Sequence, residues 1–133
     1  MRCDSPAATH ARWLLALWTV LIVIVVLPWT SFQDHPHWTR IGWVPFLSGP
    51  ISVRDILGNV LLYVPWGYAH ARAIRGSRAG LWSVAGHALL LSITTEAAQI
   101  WSHGRFPTLT DVTCNLVGAC AGAGRMWLRR WSA

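Results

Sequence analysis

Residues Trp13–Trp29 read WLLALWTVLIVIVVLPW, an apolar run in which Thr19 is the one hydroxyl. A helix of that length reaches roughly 25 Å at about 1.5 Å per residue. That is enough for a thin or locally compressed bilayer. A weakly basic start with Arg2, His10 and Arg12 precedes the run, so a cleaved signal peptide competes with a retained anchor. No A-x-A site follows it and three further apolar segments do, which favours retention.

Those segments are Asp55–Ala71, Leu81–Trp101 and Leu109–Leu128. The first of them carries YVPWGY, where Pro65 removes one intrahelical hydrogen bond and Gly67 loosens the same turn, predicting a kink. Between the first two spans, Thr30–Arg54 holds Pro36, Pro45, Gly49 and Pro50 and reads as an irregular loop. Composition agrees with a membrane protein. The 133 residues are 53% hydrophobic and 12% charged, against about 25% charged in a typical soluble domain, and mean hydropathy is +0.38. The expected fold is an all-α, four-helix transmembrane bundle. Residues 1–12 and 129–133 form its cytoplasmic ends, and 13–128 form the membrane domain.

The net charge of +6 comes from arginine alone, since the chain has no lysine. With the N-terminus inside, Arg2, Arg12, Arg72, Arg75, Arg78, Arg125, Arg129 and Arg130 fall on the inner side, and Arg40, Arg54 and Arg105 outside. That bias predicts N-in/C-in topology. It also accounts for the basic balance without nucleic acid, for which there is no motif. Cys3, Cys114 and Cys120 have neither C-x-x-C nor zinc spacing and read as unpaired.

Three acids lie within or at the mouth of spans: Asp55, Glu96 and Asp111. Insertion of such a group at a helix centre costs about 2.5–3.5 kcal/mol, so each calls for a reason. The predicted topology brings Asp55 and Asn59, Glu96 and Gln99, and Asp111 and Asn115 to a common outer level. Each pair is spaced i,i+4 or i,i+3 and shares a helix face. The last of these faces continues through Gly118 and Gly122, small residues that admit a neighbouring backbone. SVRDILGN (Ser52–Asn59) and TLTDVTCN (Thr108–Asn115) nearly repeat, so Ser52 and Thr108 are expected as N-caps with Asp55 and Asp111 at N3. Capping does not account for the deeper Asn59 and Asn115, nor for Glu96 near a helix C-terminus. Arg105, in the loop SHGRFPT, is the expected counter-charge to Glu96 or Asp111. His35, His37 and His103 share the outer side, but their spacing is loose and broken by Pro36, so no metal site is assigned.

VPF (Val44–Phe46), NVLLYVPWGY (Asn59–Tyr68), EAAQ (Glu96–Gln99), Arg105, Asp111 and NLVGACAG (Asn115–Gly122) together resemble the VanZ-like family of bacterial membrane proteins, over residues 44–124. The resemblance implies a small multipass protein of the bacterial cytoplasmic membrane, in a family whose founding members are associated with reduced susceptibility to the lipoglycopeptide teicoplanin. It implies polar functional positions at Asn59, Glu96, Gln99, Arg105, Asp111 and Asn115, with Pro65, Gly67, Gly118 and Gly122 shaping the helices. The doubled motif further suggests two hairpins, 13–71 and 81–128, related by a pseudo-twofold along the membrane normal.

Three functions compete. A binding module would hold the polar head of a membrane lipid, a lipid-linked envelope precursor or a lipophilic drug at the outer cluster. A membrane-surface hydrolase or transferase would use Glu96 or Asp111 as general base. A structural protein would use the network only to hold helices together and act through a partner. No catalytic motif or cofactor signature is present in the sequence. Four helices are few for a carrier, so transport would call for a homo-oligomer.

Overall fold

The computed structural model describes residues 6–48, 51–74 and 78–131, with side chains described to residue 126 and, after the second helix, from residue 80. The described chain is all-helical: α1 (Pro6–Val26), α2 (Val53–Ala73), α3 (Arg78–Gln99) and α4 (Leu109–Trp131), with a single 3₁₀ turn at Trp38–Arg40. The arginine asymmetry rests partly on Arg2, Arg75, Arg78, Arg129 and Arg130, whose side chains lie outside the described residues, as does Cys3. Cys114 and Cys120 are free thiols.

Local chemistry sets the ends. Proline suits the first turn of a helix because its missing N–H has no intrahelical acceptor there, and Pro6 opens α1. Pro28 biases the residue before it away from helical backbone, and α1 stops at Val26, earlier than the apolar run itself. Pro65 lies inside α2, which continues through it to Ala73. The proline withholds only its own donor, and the predicted weak turn does not end the helix.

α2 and α4 are the closest pair and run parallel. A Cβ on Gly118 would collide with the Val60 carbonyl, one on Gly122 with the Val64 carbonyl, and one on Gly67 with the backbone of Ala119. The three glycines singled out in the sequence thus interlock two backbones at successive turns. α1 lies antiparallel to α2, pinned where the Trp66 indole donates to the Thr19 hydroxyl (2.9 Å). α3 lies antiparallel to α4, pinned where the Asn115 amide donates to the Ser92 hydroxyl (2.9 Å).

The core is small: Ile22, Tyr63, Trp66, Val84 and a set of alanines that includes Ala88, Ala119 and Ala123. Ser92, Glu96, Gln99 and Asn115 are buried with it, while Leu17, Val20, Ile24, Leu57, Leu61, Leu90, Ile93 and Val117 face outward. A water-soluble bundle distributes these residue types the other way round. Among the described residues one helix, α1, qualifies by length and composition to cross a membrane. The expected four-span bundle is therefore present as four helices with one clear span, because polar residues dilute the hydropathy of α2–α4.

The segment after α1 is the irregular loop expected, with one 3₁₀ turn, but it is not loose. It is a strap stitched by backbone bonds to the α3–α4 connection. Gln33 N–H donates to the Trp101 carbonyl and His37 N–H to the Ile100 carbonyl, both at 2.8 Å. Gly42 N–H donates to Pro107, and its carbonyl accepts from Leu109 N–H, both at 2.9 Å. The Ser31 and Ser102 hydroxyls meet at 2.9 Å. Phe46 adopts a left-handed conformation (φ 60°), which a bulky residue holds only under outside constraint. Its N–H donates to the Thr110 hydroxyl (2.8 Å).

Candidate functional site

The antiparallel hairpins bring the C-terminal ends of α1 and α3, the N-terminal ends of α2 and α4, and the strap to one end of the bundle. A pocket of about 420 Å³ opens there. Asn59, Glu96, Gln99, Arg105 and Asp111 all line it, as do Ser52, Asp55 and Thr108. Residues expected at one level from three separate segments therefore share one cavity. Its apolar wall includes Val25, Val26, Ile56 and Leu62.

The polar groups are tied to one another across helices. The Asn59 side-chain amide donates to the Asp111 carboxylate at 2.6 Å, joining α2 to α4. The Glu96 carboxylate accepts the Thr108 backbone N–H at 2.8 Å, joining α3 to the start of α4. The Gln99 amide donates to the Val26 carbonyl at 3.1 Å, satisfying one of the acceptors left open at the end of α1. Arg105 lines the same cavity but forms no ion pair within 4.0 Å of Glu96 or Asp111. Its charge still acts on both carboxyls through space, and the direct bond to Glu96 comes from the Thr108 backbone N–H.

Asn115 lies deeper. It is 1% exposed, bonded to Ser92 and outside the pocket lining. Its carbonyl oxygen has no hydrogen-bond partner. Its position makes it a clamp between α3 and α4. Ser92, its partner, carries no distinguishing signal in the sequence, where Thr94 and Thr95 follow it as further hydroxyls. The α1 wall and the bond from Gln99 to Val26 were equally invisible, since a carbonyl acceptor leaves no mark on residue type.

The two near-repeats differ in what they do. Thr108 caps α4 as expected, its hydroxyl accepting the Asp111 N–H at 3.0 Å. Ser52 occupies the N-cap of α2 with extended backbone, yet makes no side-chain cap bond. Loss of a working N-cap costs about 0.5–2 kcal/mol. Thr108→Val is therefore expected to lower stability by about 1 kcal/mol and Ser52→Ala to be nearly neutral, read from thermal melts in detergent. The pseudo-twofold is not carried into the bonding either. Asn59 pairs with Asp111, whereas Asn115 pairs with Ser92 and Asp55 is exposed.

Outside the pocket, His35, His37 and His103, expected on one side, are gathered into one cluster by the strap, tighter than their loose spacing implies. Partial burial, then the neighbouring His103, Arg40 and His35, push the His37 imidazole below its ordinary range.

A family model described as VanZ/LLP1 matches residues 13–130 of the chain. No curated protein and no solved structure matches.

Proposed function

Because the chain belongs to the VanZ/LLP1 family, a membrane-associated family, we propose that its end pocket binds the polar head of a membrane amphiphile, an envelope lipid or lipid-linked cell-wall precursor. One observation carries this reading: a single cavity combines Arg54 and Arg105, three carboxylates and two amides with an apolar wall from α1 and α2. Guanidinium groups recognise phosphate or carboxylate in a fixed fork geometry. Carboxylates and amides accept from hydroxyl or ammonium groups. A head bearing both an anion and hydrogen-bond donors, on an apolar tail, uses the whole site.

The same reading makes all four helices membrane-spanning, N-in/C-in in the cytoplasmic membrane, with the pocket in the outer leaflet. Each is 21–23 residues long, or about 30 Å, the thickness of the hydrocarbon layer. The outward leucines, valines and isoleucines find lipid, and the inward polar groups find each other. Hydrolysis or group transfer gains no comparable support, since Glu96 and Asp111 are both engaged by donors of the fold itself. Susceptibility to lipoglycopeptides follows from this reading only if the ligand is an envelope precursor or the drug.

Native mass spectrometry of the protein drawn from its own membrane tests the proposal. A co-purified lipid is expected, and Arg105→Ala is expected to lower its retention about five- to tenfold, consistent with about 1–1.4 kcal/mol for a charge-assisted contact. Arg105 lines the pocket and is exposed, so folding is unaffected. A protein that carries no lipid, or one that keeps it equally well in the variant, overturns the assignment.

A further inference from the structure

The strap carries a second constellation, separate from the pocket. His35 and His37 flank Pro36, and the backbone bond from His37 N–H to the Ile100 carbonyl holds this stretch against the α3–α4 connection, where His103 projects. One ring nitrogen from each histidine lies within 4.8 Å of the other two. The rings are 4.3 to 5.9 Å apart, centroid to centroid, all edge-to-face.

We propose that His35, His37 and His103 form a three-imidazole site for a divalent transition-metal ion, with zinc as the preferred occupant. Nitrogen ligands at about 2.0–2.1 Å in tetrahedral geometry sit roughly 3.4 Å apart, so closure from the observed separations needs only small side-chain rotations. Two details fit metal ligation beyond proximity. The His37 Nε2 is buried and has no hydrogen-bond partner, an uncommon state for an imidazole nitrogen that a metal bond resolves. The Asp34 carboxylate engages the His35 Nδ1 at 2.7 Å, which fixes the tautomer and leaves Nε2 free. This is the carboxylate–histidine arrangement that orients zinc ligands. Arg40 donates to the His103 carbonyl at 2.9 Å and lies over the Phe106 ring, holding the third ligand's backbone in place.

Imidazole ligands without thiolates suit zinc, copper or nickel over calcium or magnesium. Three protein ligands leave a fourth position for water or an anion. The ion links strap and connection at His103, whose neighbours Gly104 and Arg105 line the pocket.

The test uses the full chain in detergent, without a polyhistidine tag, titrated with Co²⁺ and then Zn²⁺. One Co²⁺ per chain is expected, with the visible absorption of four-coordinate cobalt, displaced by one equivalent of Zn²⁺. His37→Asn and His103→Asn are each expected to weaken Zn²⁺ binding tenfold or more, and Asp34→Asn about tenfold, through the orientation of His35. His35→Asn, at an exposed position, provides the same loss where folding is not in question. Helix content by circular dichroism accompanies each variant. Absence of the cobalt absorption, or undiminished Zn²⁺ affinity in folded His35→Asn and His37→Asn, overturns the site. Lipid retention by the metal-free protein separates this outcome from that of the pocket.

Discussion

Gly122→Leu is expected to abolish the folded bundle. At this position even a Cβ collides with the Val64 carbonyl and comes within 2.9 Å of the Tyr68 backbone nitrogen. The obstacles are main-chain atoms of a packed helix, which cannot rotate away. The larger side chain must push α2 and α4 apart along the seam that also holds Gly67 and Gly118. Overpacking of a tight core costs about 1–3 kcal/mol when side chains alone give way. Backbone separation places this change above that range, and most of a small protein's stability lies within about 5–15 kcal/mol. The contrast is Gly124→Ala. Nothing lies within 4 Å of a Cβ there, and exchanging a helical glycine for alanine favours the helix by about 0.5–1 kcal/mol. Size-exclusion profiles and thermal melts of the two variants in detergent check both signs. A monodisperse, wild-type-like Gly122→Leu protein contradicts the α2–α4 seam.

Glu96 separates the architectural from the binding role. Removal of its carboxylate in Glu96→Ala leaves the Thr108 N–H buried and unpaired, at a cost of about 1–3 kcal/mol. It also frees the start of α4 and the backbone below Arg105. Glu96→Gln retains a carbonyl oxygen for that N–H, so its melting temperature is expected to stay close to the wild type. It replaces a carboxyl oxygen facing the pocket by an amide N–H₂, which donates and cannot accept, and an ammonium- or hydroxyl-bearing head is then expected to bind about tenfold more weakly, about 1.4 kcal/mol. Melting curves and lipid retention of both variants provide the measurement. If Glu96→Gln leaves retention unchanged, Glu96 serves the fold alone.

The four helices were legible because hydrocarbon runs and arginine flanks are composition signals, and membranes impose them strongly. The pocket was legible for a related reason. Polar residues are so costly in such segments that Glu96, Gln99, Asn59 and Asp111 stood out, and alternating helix direction placed them at one end. What escaped was carried by backbone. The strap is the irregular loop that its prolines and glycine predict, but its docking rests on N–H and C=O groups common to nearly every residue. The counter-charge expected of Arg105 acts on Glu96 and Asp111 through space, while the direct hydrogen bond to Glu96 comes from the main-chain donor of Thr108. The likeness of SVRDILGN to TLTDVTCN overstated the symmetry, because the packing partners of the two segments differ. Ser92 faces Asn115, while Asp55 stays exposed. Topology places His35, His37 and His103 on one side, and the docking of the strap brings them within ligand distance of one another.

The docking of the strap has a consequence for biogenesis. The ribosome completes residues 27–48 before it makes Ile100, Trp101, Pro107 or Leu109, to which the strap is bonded. Until those residues arrive, the early segment has no template to settle on, since chains are synthesised and begin to fold from the N-terminus. The mouth of the cavity therefore cannot close before the start of α4 has been made. A chain truncated after α3 would leave the Phe46 N–H without its Thr110 partner and the Gly42 backbone without Pro107 and Leu109.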